Sequence, residues 1–211
     1  MMNEGTRVTG YFLPSPAGAY HAVSMNRPEP AAQFILQILQ CDRSPRAELN
    51  TIMSLSGLDR TDTTTLIRSM QQAGWLEGFD RPLTVPNEPF EILLPDLLPA
   101  LSTTGKVVLA DPQGFCVANT GYPEAVAEEL AALSASLCSI HDRNIALLQD
   151  ALGLGTSAWG VVNASGNSQV GFWPVHIGIN RFVLIIDAMP RLHHPSTTRL
   201  LWALVHRYGR T

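Results

Sequence analysis

The sequence predicts an α+β protein: a compact helical unit, then a five-stranded sheet flanked by helices. Three observations predict it. Residues 31–85 carry three amphipathic helical patterns in succession. The stretch from Arg81 to Pro89 holds Pro82, Pro86 and Pro89, which exclude regular structure and mark a stiff connector. From residue 103 to 209 the segments run strand, tight turn, strand, long helix, three strands and a closing helix. That order describes a sheet with helices on one face, a form often used to bind other proteins.

Composition narrows the function classes. A chain of 211 residues with 45% hydrophobic content can bury a substantial core. Its net charge of −4 provides no general attraction to nucleic acid or to an anionic membrane. No apolar run approaches the roughly 20 residues of a membrane span. The start, Met1-Met2-Asn3-Glu4-Gly5, lacks the basic and apolar regions of a secretion signal. Cys41, Cys116 and Cys138 are an odd set at unrelated spacings, which reads as reduced thiols in a cytoplasmic protein.

Residues 1–30 read as an N-terminal arm or a loose β-hairpin. Val8 to Phe12 and Ala19 to Val23 are the two runs, separated by Leu13-Pro14-Ser15-Pro16-Ala17-Gly18. The first helix of the next unit places Phe34, Ile35, Ile38 and Leu39 at helical spacing. Ser44-Pro45 predicts the start of a second helix, with Leu49, Ile52 and Met53 on one side and Ser56-Gly57 as its stop. Asp59 or Thr61 caps a third, lined by Leu66, Ile67 and Met70 and ended by Gly74. Trp75 to Gly78 with Leu83 to Val85 then reads as a two-stranded wing.

That succession over residues 31–85 resembles a winged helix-turn-helix domain. In DNA-binding members the third helix enters the major groove, which makes Arg60, Thr64 and Arg68 the candidate DNA contacts here. Residues 31–90 hold five arginines, no lysine and seven carboxylates, so phosphate neutralisation is weak. Two readings remain open at this point: a protein-binding or architectural unit, and a DNA-binding one.

Beyond a linker at 86–90, residues 91–211 form the second unit. Ile92, Leu93, Leu94, Leu97, Leu98 and Leu101 fit an amphipathic helix that Pro95 and Pro99 bend or split. Val107 to Ala110, the Asp111-Pro112-Gln113-Gly114 turn and Phe115 to Asn119 make a hairpin. The long helix runs from Pro123 to about Ala151 by its pattern. Val126, Leu130, Leu133, Leu137 and Ile140 form its apolar stripe, beside a band of small residues that includes Ala127, Ala131, Ser134 and Ala135. Small side chains let another backbone approach closely; a solvated face of good helix formers is the alternative. The last strands centre on Trp159 to Val162, Val170 to Val175 and Phe182 to Asp187.

Helix, Asp-x-x-Gly hairpin, long Ala/Leu helix, three strands and a final helix resemble the Roadblock family of dynein light chain-like domains. Val107 to Gly121, Glu124 to Leu137 and Arg181 to Asp187 carry the resemblance. It implies an α/β/α sandwich with a five-stranded antiparallel sheet that forms homodimers through edge strands and long helices. It also implies a non-catalytic platform whose partner is a small Ras-like GTPase or another signalling protein. By this resemblance the strand at 158–163 lies at the sheet edge. Ala127, Ala131, Ser134, Ala135, Trp159 and Val161 are then the candidate dimer contacts, with Trp159 as an anchor or a core residue. The alternative function is a dimeric DNA-binding transcription regulator.

Site chemistry offers little for an enzyme. Cys138 and His141 sit three apart on a helix, where oxyanion donors are scarce. Neither these residues nor His193-His194 has the ligand spacing of a metal site. No phosphate-binding loop of the Gly-x-x-x-x-Gly-Lys type occurs. The sequence therefore implies no catalytic residue, no metal, no cofactor and no membrane association.

Overall fold

The computed structural model describes residues 10–209. Strand β1 (Tyr11–Pro14) leads directly into helix α1 (Pro16–Ser24). Ser15 caps that helix: its Oγ accepts from the Gly18 N–H at 3.2 Å and donates to the Gly74 carbonyl at 2.7 Å. The run from Ala19 to Val23 is thus helical, not part of an arm or hairpin. Ala19, Ala22 and Val23 are buried at helical spacing, and Ser15-Pro16 is a strong helix start. Residues 8 and 9 of the other expected run lie outside the described residues.

Helices α2 (Pro30–Gln40), α3 (Leu49–Ser56) and α4 (Arg60–Gln72) follow, then strand β2 (Leu76–Phe79). Gly57, at φ 67°, closes α3, and Asp59 caps α4 by accepting from the Asp62 N–H at 2.9 Å. Two expectations are corrected. Helix α3 starts at Leu49 because Ser44 is engaged elsewhere: its N–H and Oγ both bond to the Leu83 backbone at 2.9 Å. The wing is also paired differently. Strand β2 lies antiparallel to β1, Tyr11 opposite Phe79 and Pro14 opposite Leu76, while the segment at 83–85 joins the one at 42–44. Chain remote in sequence supplies the partner in both cases.

Helix α5 (Phe90–Leu97) contains Pro95 and passes into a 3₁₀ turn at Leu98–Leu101, so the prolines split this segment as expected. Strands β3 (Val107–Ala110) and β4 (Cys116–Thr120) form the hairpin. Asp111 Oδ1 accepts from the Gln113 and Phe115 N–H groups, each at 2.9 Å, which closes its turn. Helix α6 (Glu124–Arg143) is followed by a π turn at Ala146–Ala151. Then come β5 (Trp159–Val162), β6 (Ser168–Ile177), β7 (Asn180–Asp187) and α7 (Pro195–Tyr208).

The five strands pair antiparallel in the order β4-β3-β7-β6-β5. Alternation along each strand gives the sheet two buried faces. Val107, Leu109, Leu184 and Ile186 face α5 and α7, whereas Val108, Ala110, Val183 and Ile185 face α6. Helices therefore cover both faces, not one. Helix α7 is buried continuously from Leu200 to Val205. That stretch is apolar all round because the sheet lies on one side and α1 and α2 on the other. One core consequently runs from Phe12 through Ile38 and Leu97 to Val205, joining the helical unit to the sheet. Among the described residues no helix is long and apolar enough to cross a membrane.

Candidate interaction surface

Among the described residues strand β5 bonds to β6 alone, which leaves one row of its backbone N–H and C=O groups without a strand partner at the sheet edge. Val161 and Val162 are each 60% exposed there, an apolar surface on an open edge. Trp159 and Val161 lie on the α6 side of the sheet by strand alternation. Trp159 is half-buried against the α6 layer, its Nε1 donating to His141 Nδ1 at 3.4 Å. It thus belongs partly to the core, and Val161 is the outward residue of the pair.

The long helix is turned over relative to the sequence reading. Ala127, Ala131 and Ser134 are buried against their own sheet, with Cys138 and His141 continuing the same face. Ala135 is half-buried beside the tip of the β3–β4 hairpin. The physical cause is the sheet beneath, where Phe172, Val183 and Ile185 already fill the space. Only a small-residue face of the helix fits close to it. Ala127, Ala131 and Ser134 are therefore corrected as candidate dimer contacts. The stripe of larger side chains instead points outward: Val126, Leu133 and Ile140 are 40, 46 and 38% exposed. Leu130 and Leu137 flank them, half-buried.

Arg60, Thr64 and Arg68 are all exposed and fall at four-residue steps along α4, so they share one face. Thr64 Oγ1 is already bonded to the Arg60 carbonyl at 2.7 Å. Asp59 and Asp62 stand at the same helix end, which lowers its positive potential. Cys138 and His141 share the buried face of α6, and burial pushes the Cys138 thiol up from its ordinary value. Among the described residues no cluster of three or more His, Cys, Asp or Glu side chains is placed to hold a metal ion.

Two further groups order this surface from within. Asp187 accepts from the Tyr122 hydroxyl at 3.0 Å and from Thr104 Oγ1 at 2.7 Å, which ties β7 to the entrances of β3 and α6. Arg181 gives Nη1 to both oxygens of Asp142, at 2.8 and 2.9 Å, and so ties β7 to the far end of α6. Sequence reading named Arg181 only as the start of a segment that carries the family resemblance; a charge partner 39 residues away leaves no local signal.

No family model matches the chain, and no curated protein matches it. Among solved structures it is similar to the crystal structure of a Roadblock/LC7 domain from Streptomyces avermitilis. The two share 18% identity over 55% of this chain and 93% of that one, with a TM-score of 0.38.

Proposed function

We propose that the chain is a non-enzymatic regulatory scaffold whose Roadblock-like sandwich pairs with a second copy and binds a signalling partner. The observation that carries this reading is the open, apolar edge of β5. An exposed edge of this kind invites strand addition, and the same strand of a second copy satisfies it through a two-fold axis. The outward face of α6 supports the same pairing. Val126, Leu130, Leu133, Leu137 and Ile140 recur at alternating steps of four and three, the spacing by which two helices interlock. Burying the exposed part of Val161 and Val162 on association contributes at most about 1–2 kcal/mol each, before the cost of association. A small Ras-like GTPase is the partner class that the family resemblance implies.

In this reading residues 31–85 form a winged-helix-type unit used for protein contact or support. A second reading, DNA binding by a dimer, draws on the shared exposed face of Arg60, Thr64 and Arg68. Electrophoretic shift across a salt series separates the two. No shift at low salt agrees with the scaffold. A salt-sensitive shift that Arg60→Gln and Arg68→Gln abolish overturns the scaffold in favour of the regulator.

A further inference from the structure

Strand β2 is the outer strand of the small sheet in the helical unit. Among the described residues it bonds to β1 alone, Glu77 opposite Leu13 and Gly78 opposite Phe12. The backbone row on its other side has no strand partner. It shares no residue with β5 or α6, so its availability does not rest on pairing there.

A groove opens on each face of this edge. Alternation along the strand puts Leu76, Gly78 and the facing Phe12 on one side. With Ile52 of α3 and Ile67 of α4 they line a mainly apolar groove of about 120 Å³. A Cβ built on Gly78 meets nothing within 4 Å, so this groove is open at the strand itself. Glu77, Phe79 and Leu13 lie on the opposite side, where they and Trp202 of α7 line a larger groove of about 550 Å³. Its charged groups are Glu77, Glu88 and Arg199, so carboxylates outnumber cations. All three side chains are exposed, and none makes an ion pair among the described residues.

A free strand edge with a groove on each side selects its ligand by backbone form. An added strand bonds to the free row and sends successive side chains to opposite faces, one set into each groove. A helix uses its backbone groups internally and can do neither. We propose that β2 docks an extended segment of a partner protein in which apolar residues alternate with lysine or arginine. The apolar set enters the groove at Phe12 and Ile67, and the basic set faces Glu77 and Glu88.

Two capped hexapeptides test this on the full chain: acetyl-Val-Lys-Val-Lys-Val-Lys-amide and its counterpart with glutamate for lysine. The readout is the backbone amide resonances of Leu76 to Phe79. Saturable shifts are expected with the lysine peptide at millimolar concentration, and binding about fivefold or more weaker with the glutamate peptide. Glu77→Lys, at an exposed position, is expected to remove that preference. Gly78→Phe, which fills the small groove, is expected to weaken binding about tenfold. No saturable shift at β2 with the lysine peptide overturns the proposal, as does equal binding of both peptides or a preference that Glu77→Lys leaves unchanged. Shifts at β2 produced by concentrating the chain alone, and not by peptide, also overturn it and make a second copy the occupant.

Discussion

Gly114, at the tip of the β3–β4 hairpin, meets Ala135 of α6 so closely that a Cβ on the glycine lies 2.9 Å from the Ala135 Cβ. The same Cβ would be 3.2 Å from the Ala131 carbonyl, and Gly114 sits at φ 89°, where side chains are strained. This contact fixes which side of the helix faces inward. Gly114→Val is therefore expected to lose about 2–3 kcal/mol of stability. Ala131→Leu is expected to lose about 1–3 kcal/mol by overpacking, while Ala132→Leu, one residue on and exposed, stays within about 0.5 kcal/mol. Denaturant midpoints of the three variants check the orientation of α6.

Ser15 holds α1 from two directions, capping its first turn and donating to the turn at Gly74. Ser15→Ala takes these partners from the Gly74 carbonyl and from the helix start. A loss of about 1–2 kcal/mol is expected by thermal unfolding. Ser24→Ala, at the other end of the same helix and with one bond to the His21 carbonyl, is expected to cost less.

His176 gives the protein a pH dependence of known sign. Burial, then the Arg181 charge and His141, lower its pKa from 6.5 to about 4, with Asp142 opposing. The unfolded chain consequently binds the proton more readily than the folded one. Stability is complete above pH 6.5 and falls as pH drops from 6.5 toward 4, below which both states are protonated. The loss across that window is about 2 kcal/mol once solvent screening of a partly exposed ring is allowed for. His176→Gln is expected to flatten the dependence, as measured by denaturant midpoints across the range.

Elements whose partners are local were legible in the sequence. The Asp111–Gly114 turn, the proline-split helix at 90–101 and the α4 cap at Asp59 each depend on residues within a few positions. The edge position of β5 was expected from the family resemblance, not from any local pattern. Pairings that depend on distant chain were not legible: β1 with β2, Ser44 with Leu83, Arg181 with Asp142. Periodicity also located the two stripes of α6 without assigning them a direction. Larger residues ordinarily face the core, yet here the bulk of Phe172, Val183 and Ile185 reserves the inner face for alanine and serine.

Pairing through β5 and α6 is the central claim, and light scattering of the full chain at micromolar concentration tests it most directly. A dimer is expected at twice 23.0 kDa, about 46 kDa. Val161→Lys, which places a charge on the open edge, and Leu133→Glu, on the outward face of α6, are each expected to return a folded monomer. A wild-type mass of 23.0 kDa under the same conditions, or a dimer untouched by both substitutions, contradicts the account.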